Sequence, residues 1–145
     1  ILCNGRDISV EIRSAEVSAS SSIVAAVPAV RHEMVRLQRE AAAGRNMVTE
    51  GRDQGSEVFP DADCKFFLTA DPNERATRRL EELERRGQPG TLDDVLSQII
   101  DRDERDRNRP VGPLVMADDA IEIDSSTRTA EQILDLLEAT SRQKM

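Results

Sequence analysis

Histidine and cysteine are scarce in this chain, and each scarcity removes a class of chemistry. His32 is the single histidine among 145 residues. A Ser-His-Asp or Cys-His mechanism would rest on it alone, and a charged position on a helix surface is expected for it instead. Cys3 and Cys64 are the two cysteines. Two isolated thiols supply neither a disulfide framework nor a zinc site, so both are read as small buried hydrophobes in a reducing compartment. No apolar run approaches the roughly 18 residues of a membrane-spanning helix, and no leader pattern opens the sequence. The expected location is the cytoplasm. A Gly-Lys pair is missing as well, and no two of the seven glycines stand at the spacing of G-x4-G-K-[ST]. A loop that grips nucleotide phosphates with its amides and a lysine is therefore not written in these residues.

Lysine is nearly absent too. Of twenty cationic residues, Lys65 and Lys144 are lysines and the other eighteen are arginines. Arginine suits planar, bidentate recognition of phosphate, although a GC-rich genome would produce the same bias. Acidic residues outnumber the cations, giving a net charge of −8 and a pI near 4.8. Nucleic acid and anionic membrane surfaces are poor matches for such a chain, because neutralising many phosphates needs a basic field. The length suits one domain, and 38% apolar residues provide for a core of modest size. A charged fraction of 33% would fit disorder, but the apolar residues are periodic and the helix caps well formed.

Strand and helix signals alternate along the chain. Residues 1–9 read as short and extended, with a turn at Asn4-Gly5. A helix is expected over 14–27. The next begins at Pro28, a residue favoured at the first helical position; Val30, Met34, Leu37 and Ala41 make one face of it apolar, and Gly44 ends it. A strand over 46–50 runs into Gly51-Arg52-Asp53, and 64–70 reads as a buried strand. Asp71, Pro72 and Glu74 then supply N-cap, N1 and N3 signals together for a helix that reaches Arg86 and stops at Gly87. Thr91 and Asp94 cap a further helix with Leu92, Val95, Leu96, Ile99 and Ile100 as its apolar stripe. Residues 120–124 form a last strand. Thr129 and Gln132 cap a final helix carrying Ile133, Leu134, Leu136 and Leu137. No internal repeat is present. The breaks at 88–90 and 110–113 are the clearest hinges. This alternation argues for an α/β domain with a parallel sheet.

Two segments carry candidate chemistry. At about 100° per residue, Arg102, Asp106 and Arg109 fall within roughly 60° of one another on a helix. That face continues the line of Val95 and Ile99, so these charges are expected to point inward. Two inward arginines and an aspartate need an anionic, hydroxylated partner to offset their desolvation. A nucleoside monophosphate is such a partner, with its phosphate for the arginines and a ribose hydroxyl for the carboxylate. A solvated, charged helix end is the plain alternative. In Glu50-Gly51-Arg52-Asp53, a carboxylate at the C-terminal end of a parallel strand stands where open α/β sheets bind ligands. Gly51 lets the backbone approach a ligand, and Arg52 and Asp53 project into the same crevice. Turns of this composition are also common in surface loops.

Six stretches together resemble the bacterial cytidylate kinase family: EIRSAEVS (11–18), the S-x5-P-x2-R run from Ser22 to Arg31, VTEGRDQGSEVFPDA (48–62), KFFLTADPNERATRR (65–79), RDERDRNR (102–109) and IDSST (123–127). The resemblance is collinear and covers essentially the whole chain. It implies a P-loop nucleoside monophosphate kinase fold, an α/β three-layer arrangement of a parallel sheet with flanking helices, here without its first strand and P-loop. It also implies ATP-dependent phosphorylation of CMP and dCMP to CDP and dCDP with Mg2+, and a monomer when complete. By the same resemblance, 1–45 is a CMP-binding insert subdomain and 46–79 holds core strands and a helix. Residues 80–109 are the lid region and lid-side helix, and 110–145 a C-terminal core strand and helix. Ser22 and Arg31 match the residues that read the cytosine edge. Arg52 and Asp53 match the lining of the monophosphate site, beside Gly51 in the substrate-binding set, Arg102 and Arg109 its phosphate-binding arginines, and Asp106 the ribose-contacting aspartate. Glu50 lies where related kinases hold the Mg2+ water shell. Arg75, Arg78 and Arg79 border the mobile lid and would approach ATP phosphates as it closes.

Blander readings stand beside these. Ser22 also fits a solvated helix hydroxyl, Arg31 a partner of a surface carboxylate, and Arg78 and Arg79 ordinary helix salt bridges. Gln54 and Ser56 depart from the usual family pattern, and Glu57 replaces an apolar strand residue. Because the family places its P-loop upstream of the first residue here, the chain alone is expected to be inactive. The rival reading is a non-catalytic nucleotide-binding remnant or an interaction module.

Overall fold

The computed structural model describes residues 1–144, apart from the side chains of Ala15, Ser18, Ala19 and Ser22. Local signals account for most of its elements. A hairpin of β1 (Leu2–Cys3) and β2 (Arg6–Asp7) turns through Asn4 and Gly5, both at positive φ. Ser14 caps α1 (Ala15–Ala25), its hydroxyl accepting from Val17 N at 3.2 Å. Next, α2 (Pro28–Ala42) starts on its proline. Asp71 caps α3 (Pro72–Arg85) by accepting from Asn73 N at 2.8 Å. At the far end of α3, Gly87 takes a left-handed φ of 67° while Gln88 N donates back to Leu83 O, six residues closing the helix. In α4 (Leu92–Asn108), the Thr91 hydroxyl accepts from Asp94 N at 3.2 Å and donates to Asp94 Oδ2 at 2.7 Å. Strand β3 (Phe66–Thr69) pairs in parallel with β4 (Ile121–Asp124), in register from Phe66 opposite Ile121 to Thr69 opposite Asp124. Thr129 and Gln132 exchange two hydrogen bonds at the start of α5 (Ala130–Lys144), a capping box.

Three expectations are corrected. Residues 46–50 form no strand among the described residues, and Val48 is fully exposed. A strand needs a partner ladder, and none lies beside this segment. Downstream of it, Gln54–Val58 winds into one wide turn in which Val58 N and Phe59 N donate to carbonyls five residues back. Glu57 therefore stands in a turn and not in a strand. The second correction concerns α2. Its expected apolar face, Val30, Met34 and Leu37, is exposed, while Arg31 and Val35 are buried. Polar tethers decide this: Arg31 reaches into the interior, and Arg39 donates to the carbonyls of Glu57 and Val58 at 2.7 and 2.8 Å. Third, Cys3 is exposed on the hairpin and Cys64 only half-buried, and Leu68 of β3 faces solvent. His32 lies on the exposed surface of α2, as expected.

The apolar core is small. Val35, Val58, Ala76, Val95, Ile123 and Ile133 are its buried members. Packing of α3 along α4 and the β3–β4 pair hold it together. Lys65 clamps the entrances of the two strands, its buried Nζ donating to Asp119 Oδ1 at 2.8 Å and to Pro60 O. The accessible surface is 10420 Å², whereas a compact monomer of this mass exposes about 7,400 Å². The uncovered faces of α2 and β3 contribute to that excess. Among the described residues, no helix is long and apolar enough to cross a membrane.

Because Thr91 satisfies a first-turn amide of the longest helix, Thr91→Ala is expected to lower stability by about 1 kcal/mol. Thr91→Ser should remain close to the parent. Urea unfolding at equilibrium measures both, and an unchanged midpoint for the alanine variant would remove the cap from the account.

Candidate functional site

Arginine and aspartate side chains from four segments meet on one side of the core. Helix α2 contributes Arg31, the 51–53 turn Arg52 and Asp53, and the first turn of α3 Arg75. The C-terminal half of α4 contributes Arg102, Asp103 and Asp106, and its C-cap is Arg109. A spacing of three residues places Asp103 and Asp106 on one helical face, and each is only 4% exposed.

Asp53 stands at the centre. Its Oδ2 pairs closely with Arg31 Nη2, and its Oδ1 lies 3.6 Å from Arg109 Nη2. Gly112, at a left-handed φ of 57°, folds down over this pair, and Arg109 Nε donates to its carbonyl. A Cβ at Gly112 would collide with Asp53 Oδ2 and with the Arg31 guanidinium. The second carboxylate, Asp106, is ringed by three arginines: Arg109 Nη1 at 3.6 Å, Arg52 Nε at 3.5 Å and Arg102 Nε at 3.9 Å. The third, Asp103, accepts from Arg75 Nη1 at 2.7 Å and faces Arg52 Nη1 at 3.4 Å.

Five arginines against three aspartates leave the cluster two positive charges in excess. Burial pushes the Arg31 guanidinium below its ordinary pKa, and the neighbouring Arg109 adds to that shift against the pull of Asp106 and Glu57. Burial acts on Arg109 in the same direction, with Asp106 opposing it and Arg52 reinforcing it. Several buried polar atoms of the cluster, among them Arg31 Nε, Arg109 Nη2, Asp103 Oδ1 and Asp106 Oδ2, have no hydrogen-bond partner. Such atoms are costly to bury unless a ligand or solvent meets them.

The structure thus brings together Arg31, Arg52, Asp53, Asp106 and Arg109. Arg102 sits at the rim with its side chain 48% exposed, and Asp103 takes the inward place. Packing of α3 against α4 explains this correction, since it moves the buried arc of α4 by about one residue. Asp103 and Arg75 were not singled out as a pair by the sequence. The signal available was that Asp103 stands three residues before Asp106. Gly51 is exposed and lies under the Gln54 side chain, whose Cγ would be 2.9 Å from an added Cβ. Glu50 is exposed, and it ends an irregular segment where a strand was expected. The described residues include no group of three or more His, Cys, Asp or Glu that could hold a metal ion. Arg78 donates to the carbonyls of Ser125 and Ser126 at 2.6 and 3.3 Å, and Arg79 to Glu82 at 2.6 Å. The side chain of Ser22 lies outside the described residues.

An α/β domain with two uncompensated positive charges beside buried carboxylates has the chemistry to bind a small phosphate ester. Residues 1–143 match the family model described as Cytidylate kinase, and the chain belongs to that family. It is 41% identical over all 145 residues to the cytidylate kinase of Citrifermentans bemidjiense, covering 62% of that relative. Against the cytidylate kinase of Enterobacter sp. (strain 638), the identity is 44% over 145 residues and 64% of the relative. With that of Vibrio vulnificus (strain YJ016) it is 44% over 135 residues, covering 93% of this chain and 60% of the relative. The chain therefore spans about three fifths of the length of the curated relatives it matches.

Removing the central carboxylate leaves the buried Arg31 guanidinium without its ion-pair partner and takes one of two carboxylates from Arg109. Asp53→Ala is accordingly expected to cost about 3–5 kcal/mol of folding stability. Chemical denaturation reads this directly, and a loss below about 1 kcal/mol would show that Asp53 does not hold the cluster together.

Proposed function

We propose that residues 1–145 carry the CMP-binding part of a cytidylate kinase, whose intact chain transfers the γ-phosphoryl group of ATP to CMP or dCMP. The observation that supports this most is the excess of two positive charges around Asp53, Asp103 and Asp106 in a chain of the cytidylate kinase family. A nucleoside monophosphate brings about −1.5 to −2 charges at neutral pH, which offsets that excess. Arg52, Arg102 and Arg109 take the phosphate, and Asp106 a ribose hydroxyl. Arg31 and Ser22 read the cytosine edge, Gly51 admits the phosphate close to the backbone, and Asp53 holds Arg31 and Arg109 in place. Transfer is in line, with no covalent intermediate, and the arginines stabilise charge on the equatorial oxygens.

Mg2+ keeps much of its water and is bound chiefly through phosphates and one or two carboxylates. The solitary, exposed Glu50 fits that role through the water shell only. When bound, the ion would neutralise charge between the β- and γ-phosphates of ATP. A P-loop is not written in residues 1–145, and the grip on the ATP phosphates that such a loop supplies is assigned to none of them. The whole is proposed to adopt the P-loop nucleoside monophosphate kinase fold, as a cytoplasmic monomer with 1–45 as insert and 80–109 as lid. Residues 1–145 by themselves are proposed to bind CMP without transferring phosphate.

A coupled kinase assay on the intact protein should show CMP and dCMP preferred over UMP and AMP, and equal turnover of AMP and CMP would sink the assignment. CMP binding by the intact protein without CDP formation would favour the non-catalytic reading, for which the missing motif argues.

Within the site, Arg109→Ala is expected to weaken CMP binding by about 2–5 kcal/mol, and Arg102→Ala, at the rim, by less. Arg105→Ala and Arg107→Ala, on the exposed side of α4, should bind as the parent does. Calorimetric titration with CMP separates these cases. Equal losses for all four variants would make general charge, and not the buried face, the cause.

A further inference from the structure

We infer that Asp103 is a positioning residue that aims Arg52 at the bound phosphate, an inference that rests on the cytidylate kinase reading of the site. At 4% exposure, its carboxylate costs several kcal/mol to bury unless its oxygens are met. Only one of them is. Oδ2 accepts from Arg75 Nη1 at 2.7 Å, whereas Oδ1 is buried without a hydrogen bond and faces Arg52 Nη1 at 3.4 Å. A strut between α3 and α4 would need only the Arg75 bond, and an exposed position on α4 would supply one without the burial. The second oxygen is therefore explained by Arg52.

Arg52 itself is held in an unusual way. Asp103 lies 3.4 Å from its Nη1 and Asp106 3.5 Å from its Nε, beyond the distances of strong charge-assisted hydrogen bonds. Two carboxylates on one helical face thus fix the guanidinium from two directions by charge, while its N–H groups stay uncommitted. Its side chain is 36% exposed, open to an arriving anion. Arg109 contrasts with it, being buried and donating to Gly112 O. Without the charge of Asp103, Arg52 turns toward Asp106 alone and covers the carboxylate assigned to the ribose.

The test is a double-mutant cycle in the intact protein, read by titration with CMP and separately with inorganic phosphate. Asp103→Asn keeps an oxygen acceptor for Arg75 Nη1, so the α3–α4 tether persists while the charge is lost. It is expected to weaken CMP binding about tenfold, a typical coupling between contacting charged residues. In an Arg52→Ala background the same change should add nothing. Losses that multiply would reduce Asp103 to a structural strut and overturn the inference. Should Asp103→Asn fail to fold, Asp103→Glu takes its place: it keeps the charge, displaces it by one methylene, and should weaken CMP binding only when Arg52 is present. Phosphate binding with this coupling intact but no preference for CMP would refute the cytidylate reading and leave the role of Asp103 standing. Absence of binding to either ligand would overturn both.

Discussion

The buried pairing of Asp53 with Arg31 and Arg109 is the interaction on which the rest of the arrangement depends. It joins α2, the 51–53 turn, the end of α4 and the segment around Gly112. Its backbone is engaged as well, because Asp53 O accepts from Glu57 N and Val58 N and so starts the wide turn over 54–58. Arg39 then ties that turn back to α2 through the carbonyls of Glu57 and Val58. One residue thus sets both the electrostatic centre and the local path of the chain. A buried ion pair adds little net stability when compared with a well-packed apolar substitute, but losing one partner is costly. The pairing therefore acts less as a source of stability than as a constraint on where four segments can lie.

Arginine, and not lysine, makes such a cluster possible. Arg31 and Arg109 are 8% and 7% exposed. A lysine ammonium is a strongly hydrated point charge, whereas a guanidinium is weakly hydrated and presents several donors in one plane. Each aspartate can then be shared: Asp106 among three arginines, Asp103 between two, Asp53 between two. Sharing leaves donors over, and these surplus donors are what an anion can use. The excess of positive charge is local, within a chain whose net charge is −8. An acidic exterior around a cationic cluster suits a small phosphate ester better than a nucleic acid.

How much of this was legible in the sequence follows from the range of the forces involved. Helix starts at Asp71, Thr91 and Thr129 were readable because caps act within one turn, and the start at Pro28 because proline favours the first helical position; the helices begin there. Strand 46–50 was misread because a strand exists only with a partner, which no local pattern guarantees. The inward face of α2 was misread because Arg31 and Val35 turn inward, and the Arg39 tether to the carbonyls of Glu57 and Val58 helps to set that rotation. Asp103 escaped notice because its side of α4 is chosen by α3, a neighbour distant in sequence. The family motifs pointed to Arg31, Arg52, Asp53, Asp106 and Arg109, and these do come together in space. Glu50 and Gly51 remain at an exposed edge, and Arg102 at the rim. Geometry gives Arg102 a long contact with Asp106, and gives Glu50 and Gly51 none that would by itself suggest a role.

The cluster also shifts how the fold and the ligand relate. Six buried apolar residues among those described make a thin core, so the hydrophobic contribution to stability is small for a chain of this size. Beside that core lies a polar interior whose charges do not balance and whose buried atoms are partly unmatched. An anion that supplies two negative charges meets the first deficit, and its acceptor oxygens suit unmatched donors such as Arg109 Nη2, whereas the unmatched carboxylate oxygens call for a donor such as a hydroxyl. Whatever binds the native state and not the unfolded chain stabilises it by mass action, and here Arg109, assigned to the anion, also carries a donor left unsatisfied without it. Ligand affinity and folding stability therefore meet at this arginine. A substitution that makes the cluster self-sufficient, by adding carboxylates or removing guanidinium groups, would stabilise the empty protein at the expense of binding. The surplus guanidinium charge is in that sense part of the binding site, kept open by carboxylates too few to close it.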